Sequence, residues 1–236
     1  MSFLLPEHLS EKLRLLNELC DAAKTNLIRI NETHNANDVQ HQVLVINLVR
    51  VLKYFDSYLL LVKSGYGEPA AVLLRSIYEA NVWMRWSLVK PYNAQLYFDG
   101  SKGEALRIAE KWFSKNLATL NNAPDPDIMR ERLRNKQKEW RLPRWDEMAS
   151  ECGMGDIHAL VYPFLSAMSH GSWLFMGERI LENKTVSPFP DEKNIEPFIA
   201  IANNTLRDCY LVCEEWIIHN RLRPLPDYRS LMTRVH

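Results

Sequence analysis

Apolar residues recur every three or four positions through most of this chain, which is the spacing of an amphipathic α-helix. The stretch from Glu7 to Ile30 shows the pattern clearly. Its apolar positions are Leu9, Leu13, Leu16, Leu19, Cys20, Ala23 and Leu27. No segment alternates apolar and polar residues convincingly with the period of two that a half-buried β-strand requires. The pattern therefore predicts an all-α protein.

Turn-forming residues divide this helical pattern into elements. Gly65 is suited to end one helix, Pro69 fits the first turn of the next, and Pro91 terminates it. Two long helices joined by so short a turn are expected to pack antiparallel. The predicted helices cover about 7–30, 38–64, 68–89, 92–121 with an interruption near 100–103, 126–140, 145–151, 157–170 and 194–220.

Composition supports one helical domain over residues 1–236. The chain is 47% hydrophobic, which is enough for one large core, and its 8 glycines leave few turns for a sheet. We expect a bundle of long antiparallel helices with its core in about 7–120 and 157–220. A basic helical insertion is predicted at about 125–151.

Charge and motif content exclude several classes of protein. Lys+Arg and Asp+Glu both number 29, so the chain lacks the basic excess of a nucleic-acid coat protein. The most apolar window, 43–62, carries charges on one helical face, which argues against a membrane span. Four cysteines without a CxxC pair and the lack of a signal peptide favour a cytoplasmic protein with reduced thiols. Neither a metal nor a cofactor is predicted.

The first candidate site lies in an otherwise apolar helix, at Leu73 to Ala80. Arg75 and Glu79 are four residues apart and share a helix face, with Ser76 beside them. One interpretation is a buried ion pair that fixes the register of the helices. The other is that Arg75 binds a phosphate or carboxylate while Glu79 orients its guanidinium group. Asp56, on the preceding helix, is a further candidate partner for Arg75.

The second candidate site is a row of polar groups near the end of a later helix. Tyr162, Ser166 and His170 follow one another at steps of four, and Ser169 adds a hydroxyl. Histidine acts as a general acid or base near neutral pH, and the tyrosine is placed to support it. A structural capping role for His170 is the alternative. The strained elbow of a serine hydrolase is missing.

A third candidate surface is the basic segment from Arg130 to Arg144. Cations and aromatic rings alternate there, as in grooves that hold single-stranded nucleic acid. Its candidate binding residues are Arg130, Arg134, Lys138 and Trp140. A solvated helix face supported by neighbouring glutamates explains the same charges.

The two motifs L-L-R-S-x-x-E-A (Leu73 to Ala80) and Y-x-x-x-S-x-x-x-H-G (Tyr162 to Gly171) resemble those of a family of uncharacterised, mainly bacterial helical proteins. More remotely, such proteins are similar to the HEPN group of helical bundles. That group includes metal-independent ribonucleases of toxin–antitoxin and phage-defence systems, as well as inactive dimerisation or nucleotide-binding members. The resemblance implies a homodimer. The HEPN ribonucleases carry an arginine four to six residues before the histidine on the same helix. This chain departs from that pattern, with Pro163, Phe164 and Leu165 before His170, so Arg75 could replace that arginine only from another helix.

Two functions follow from these residues taken together with the HEPN resemblance. One is a non-catalytic module of the defence or toxin–antitoxin type that binds a small anionic ligand or a protein partner. The other is an endoribonuclease in which Arg75 stabilises the phosphorane, His170 is the acid or base, and Tyr162, Ser166 and Glu79 orient them.

Overall fold

The structure is a computed structural model that describes residues 6–32, 38–116, 131, 135, 142–169 and 195–220. Within these residues the chain forms seven helices and no strand, so the all-α prediction is confirmed. The helices are α1 (Glu7–Glu32), α2 (Val39–Lys63), α3 (Gly67–Val89), α4 (Pro91–Asn116), α5 (Trp145–Glu151), α6 (Gly155–Ser169) and α7 (Ile195–His219).

A tight turn joins α2 to α3, as the glycine and proline positions predict. The backbone N–H of Ser64 donates to the carbonyls of Leu60 and Leu61, which closes α2. Gly65 follows with φ of 81°, a left-handed conformation that a side chain would disfavour. Pro69 then lies in the first turn of α3, where its missing N–H costs nothing.

Helix α3 is the centre of the bundle and packs against α2, α4, α5, α6 and α7. Its buried positions lie on nearly every side of the helix, which explains why its sequence is apolar without a single clean stripe. The largest of them are the aromatic residues Tyr78, Trp83 and Trp86. Because so many elements touch it, α3 is the element that sets the positions of the others.

The predicted interruption near residues 100–103 is wrong, because α4 continues from Pro91 to Asn116. Gly100 serves packing instead. A Cβ atom placed on Gly100 would lie 2.5 Å from Cγ of Leu142, so only glycine lets the segment before α5 approach α4 this closely. Glycine lowers the intrinsic stability of α4 at this position, but it allows close packing between α4 and the segment before α5.

The end of the predicted insertion belongs to the body of the bundle. Met148 and Ala149 of α5 are buried, and Nε1 of Trp86 in α3 donates to Glu151 at 2.6 Å. The candidate nucleic-acid residues Arg130, Arg134, Lys138 and Trp140 lie outside the described residues. The single-domain boundaries and the insertion as a unit stay predictions.

None of the helices in the described part of the chain combines the length and apolar character needed to cross a membrane.

Candidate functional site

The two sequence motifs meet at Arg75. Its Nε donates to Oε1 of Glu79 at 3.0 Å, and its Nη2 donates to the hydroxyl of Tyr162 at 3.2 Å. The guanidinium carbon also lies 5.3 Å from the centre of the Tyr162 ring, within cation–π range. The contact joins α3 to α6 across 87 positions of sequence.

Partial burial makes this arginine dependent on its partners. The Arg75 and Glu79 side chains are 21% and 19% exposed. Burial by itself would lower the pKa of Arg75, but the hydrogen bonds to Glu79 and Tyr162 outweigh it and raise the pKa above its usual value. Arg75 therefore stays charged at neutral pH, with a carboxylate in contact.

Tyr162 is part of a row of stacked aromatic rings that connects α6 to α3. His158, one turn earlier in α6, stacks on Tyr162 with 4.6 Å between ring centres. The hydroxyl of Tyr78 lies 3.4 Å from Nδ1 of His158, so the row returns to α3 one turn beyond Arg75. On the other side, Trp145 of α5 stacks on Tyr162 at 6.0 Å. Three helices are thus tied together by rings and hydrogen bonds.

His158 is neutral in the folded protein near physiological pH. The side chain is buried, and burial lowers its pKa, while the charge of Asp146 acts in the opposite direction with a smaller effect. In the unfolded chain the same group has its ordinary pKa of about 6.5. The unfolded state therefore binds the extra proton first as the pH falls.

This difference predicts how stability depends on pH. The contribution of His158 is fully present above the unfolded-state pKa and is lost as the pH falls below about 6.5 toward the lower folded-state pKa. We expect His158→Gln to reduce the decrease in unfolding free energy between pH 7.5 and 5.5, as measured by urea unfolding. His219→Gln is the control, because His219 is exposed at the end of α7. Equal pH slopes for His158→Gln and the wild type would contradict the assignment.

The remaining predicted residues of the second motif are only partly within the described chain. Ser169 donates its hydroxyl to the carbonyl of Leu165 at 2.8 Å, a bond internal to α6. Ser166 and Ser76 are half-buried. His170 lies outside the described residues, so its approach to Arg75 stays a prediction. Asp56 accepts a hydrogen bond from Lys24 of α1 at 2.9 Å, on the face between α1 and α2.

A second polar cluster, which the sequence did not reveal, links α3 to α7. Nε of Arg85 and Nδ2 of Asn81 each donate to Oδ2 of Asp208 at 2.6 Å. Nη2 of Arg85 also donates to Oδ1 of the same carboxylate, which makes the ion pair bidentate. The Arg85 and Asp208 side chains are 20% and 24% exposed. Burial alone would lower the pKa of Arg85, and Asp208 raises it above the usual value.

A cleft of about 520 Å³ lies between α3, α6 and α7, next to both clusters. Tyr78 connects it to the ring stack, while Asn81 and Asp208 connect it to the α3–α7 ion pair. Most of the wall is apolar. The aliphatic and thioether side chains that line it are Met154, Ile157, Leu160, Val161, Ile201 and Leu211. The volume falls within the range of small-molecule sites. Apolar walls with a few grouped polar atoms are also typical of such sites.

The sequence pattern of a known family matches residues 41–185, more than half of the chain, and that family is described as a family of unknown function (DUF5677). The chain belongs to DUF5677. No curated protein and no solved structure matches the chain. The DUF5677 match begins two residues into α2, continues through α6 and ends before α7, so the α7 wall of the cleft lies outside the matched residues.

Two of the described cysteines of this DUF5677 chain are poor nucleophiles near neutral pH. Burial raises the pKa of Cys152 to about 11 and that of Cys213 to about 12, so both remain protonated thiols at neutral pH. Within the same residues, His, Cys, Asp and Glu side chains form no group of three or more able to hold a metal ion.

Sequence reasoning missed most of the cleft's polar residues. Asn81 and Arg85 are four apart on α3, the same spacing that drew attention to Arg75 and Glu79, so this signal was available. Their partner Asp208 is 123 residues from Arg85 and has an ordinary helical context. His158 likewise precedes Tyr162 by four residues and extends the second motif by one turn toward the N-terminus of α6.

Proposed function

We propose that the chain is a non-catalytic module that binds a small molecule in the cleft between α3, α6 and α7. The observation that carries the proposal is the cleft itself: about 520 Å³, mostly apolar walls, and polar atoms gathered around Asn81 and Asp208. Affinity for a small molecule comes mainly from such apolar walls, and orientation comes from a few fixed polar groups.

Both polar clusters support this proposal as positioning elements. The Arg75–Tyr162 contact holds α6 against α3, and the Arg85–Asp208 pair holds α7 against α3. Each contact therefore fixes one wall of the cleft relative to the central helix. A cleft whose walls are fixed before binding loses less conformational entropy when a ligand enters.

Blocking the mouth of the cleft tests the proposal. Asn204 lines the cleft and is exposed, so Asn204→Trp places a large ring there without entering the core. Nile red, a neutral apolar dye whose emission rises in apolar surroundings, is the probe. We expect saturable binding to the wild type and affinity about tenfold weaker in Asn204→Trp, or a loss of ~1.4 kcal/mol.

The matched control is Ile218→Trp, which adds the same ring to an exposed position of α7 outside the cleft lining. Its affinity for Nile red is expected to equal that of the wild type. Thermal unfolding of both variants checks that they fold. Equal binding by Asn204→Trp and Ile218→Trp would show that the dye binds elsewhere, and the cleft would lose its assigned function.

The endoribonuclease alternative depends on His170, which lies outside the described residues. The geometry around Arg75 favours a structural role, because Glu79 and Tyr162 already engage the guanidinium group. Incubation with single-stranded RNA in the presence of EDTA separates the two functions. Cleavage by the wild type that His170→Ala abolishes would overturn the binding proposal. The defence or toxin–antitoxin setting and the homodimer rest on the HEPN resemblance and stay predictions.

A further inference from the structure

The buried inner wall of the cleft suits the apolar part of a ligand, because the polar donors that line it are already engaged. Tyr78, Asn81 and Thr205 line this wall and are buried. The hydroxyl of Tyr78 lies 3.4 Å from Nδ1 of His158, and Nδ2 of Asn81 donates to Asp208 at 2.6 Å. The hydroxyl of Thr205 donates at 2.8 Å to a carbonyl of its own helix. A polar head placed against this wall would lose its bonds to water and gain little in return.

The mouth of the cleft has a different chemistry on its α7 side. Asn204 is exposed there, and Arg207 follows three residues later, lines the cleft and is half-buried. Residues three apart on a helix are neighbours on its surface, so the amide and the guanidinium group are placed to bind one head group together. On the α6 side, Ile157 and Leu160 are 54% and 78% exposed. Polar donors thus lie on one side of the mouth and aliphatic side chains on the other.

The chemistry of Arg207 and Asn204 favours a ligand that accepts hydrogen bonds. A guanidinium group has five N–H donors and no acceptor, so it can bind a ligand in addition to its contacts within the protein. Its planar shape matches the two oxygens of a carboxylate. The amide of Asn204 supplies further N–H donors beside it.

The charges around the cleft favour an anion over a cation. Among the described lining residues, the charged side chains are Arg207 and Asp208. Asp208 accepts hydrogen bonds from Asn81 and from two nitrogens of Arg85, and the ion pair with Arg85 neutralises it. Glu215, whose charge also acts on Arg85, does not line the cleft. The lining therefore has a positive balance at Arg207, which attracts an anionic group.

The position of Arg207 and Asn204 also limits the cost of binding a charge. A carboxylate held deep in an apolar cleft would lose its hydration, and that loss is costly. At the mouth, beside the exposed Asn204, the same group keeps contact with water while it binds the guanidinium group. A charged end at the mouth and an apolar body inside the cleft satisfy both requirements.

We infer that the cleft takes an amphipathic carboxylate, a largely apolar small molecule whose single carboxylate binds at Arg207 and Asn204. The inference rests on the proposed function and names its ligand class. The apolar body lies between α6 and α7 and reaches the α3 wall. The sequence predicts an anionic ligand at Arg75, but Glu79 and Tyr162 already engage that guanidinium group, so the anion is assigned to Arg207 instead.

A pair of naphthalenes tests the inference. 2-Naphthoate is an anion at pH 7, whereas 2-naphthamide has the same ring and a neutral head of similar size. Displacement of Nile red gives the affinity of each compound. We expect 2-naphthoate to bind the wild type about tenfold more tightly in low-salt buffer, because a hydrogen bond to a charged group contributes more than a neutral one. Added salt should weaken the binding of 2-naphthoate and leave that of 2-naphthamide unchanged.

Arg207→Gln removes the charge and keeps a polar side chain, so both naphthalenes should bind this variant with similar affinity. The matched control is Arg50→Gln, the same change at a half-buried arginine of α2 that does not line the cleft, and it should keep the preference for 2-naphthoate. Thermal unfolding checks that both variants fold. The comparison on the wild type needs no variant and decides the question even if Arg207→Gln does not fold.

Displacement by 2-naphthoate that is no stronger than displacement by 2-naphthamide, or displacement by neither, would overturn the assigned ligand class and leave the binding function intact. A preference for 2-naphthoate that persists in Arg207→Gln would also overturn it, because the carboxylate would then bind elsewhere. Failure of the proposed function has a different signature: Nile red binding that Asn204→Trp does not weaken.

Discussion

Asp208→Leu is expected to lower the free energy of unfolding by about 3 kcal/mol, because it leaves Arg85 partly buried without its carboxylate and removes the acceptor of Asn81. For a chain of this size the melting temperature should fall by roughly 6–12 °C. Urea unfolding followed by circular dichroism measures the first quantity, and a thermal scan measures the second. The loss should be seen without any ligand, since the pair joins α3 to α7 directly.

Two comparisons separate this explanation from a general effect of mutating α7. Glu196→Ala breaks the ion pair between Glu196 and Lys12, which are 57% and 37% exposed. Because water solvates both charges, this change should cost far less stability than Asp208→Leu. The double variant Arg85→Met with Asp208→Leu removes both charges and should recover most of the loss, because no unpaired charge remains. A double variant as unstable as Asp208→Leu would contradict this account of the pair.

Arg75→Ala is expected to destabilise the fold by about 2 kcal/mol. The sum has three parts: the partly buried pair with Glu79, the hydrogen bond to Tyr162, and the cation–π contact with the same ring. Because Arg75 holds α6 against α3, we also expect weaker binding of Nile red. Unfolding in urea and dye titration on the same preparation measure both effects.

The matched control for Arg75 is Arg14→Ala in α1. Arg14 also pairs with glutamates on its own helix, but its side chain is 54% exposed, so its removal should leave the free energy of unfolding nearly unchanged. A loss for Arg75→Ala as small as that for Arg14→Ala would mean that the contact between α3 and α6 contributes little to stability. Arg75→Lys keeps the charge but not the planar geometry, and its stability should fall between those of Arg75→Ala and the wild type.

The sequence contains enough local information to place α2 and α3. Gly65, Pro69 and Pro91 act within a few residues of where they stand, and the structure follows them closely. Gly100 is different. Its role depends on Leu142, 42 positions away. Local helix propensity does not include this contact and therefore predicts a break in the helix at Gly100.

The candidate site divides in the same way. The pairing of Arg75 with Glu79 follows from helical spacing alone. The contact from Arg75 to Tyr162, and that from Arg85 to Asp208, require knowledge of which helices are neighbours, and many arrangements of seven helices satisfy the same hydrophobic pattern. No sequence pattern predicts the cleft, because it is the space left between α3, α6 and α7. Each of these helices has an ordinary helical sequence pattern.

Helix α3 faces the ring stack, the ion pair and the cleft along one short length of chain. A substitution at Tyr78 or Asn81 therefore disturbs several contacts together, whereas Ile157 and Leu160 of α6 line the cleft and are exposed. Across evolution, substitutions that change which ligand the cleft prefers disturb the fold least when they lie on the α6 wall. Sequence differences among relatives should then be concentrated in α6 and α7, and α3 should vary the least.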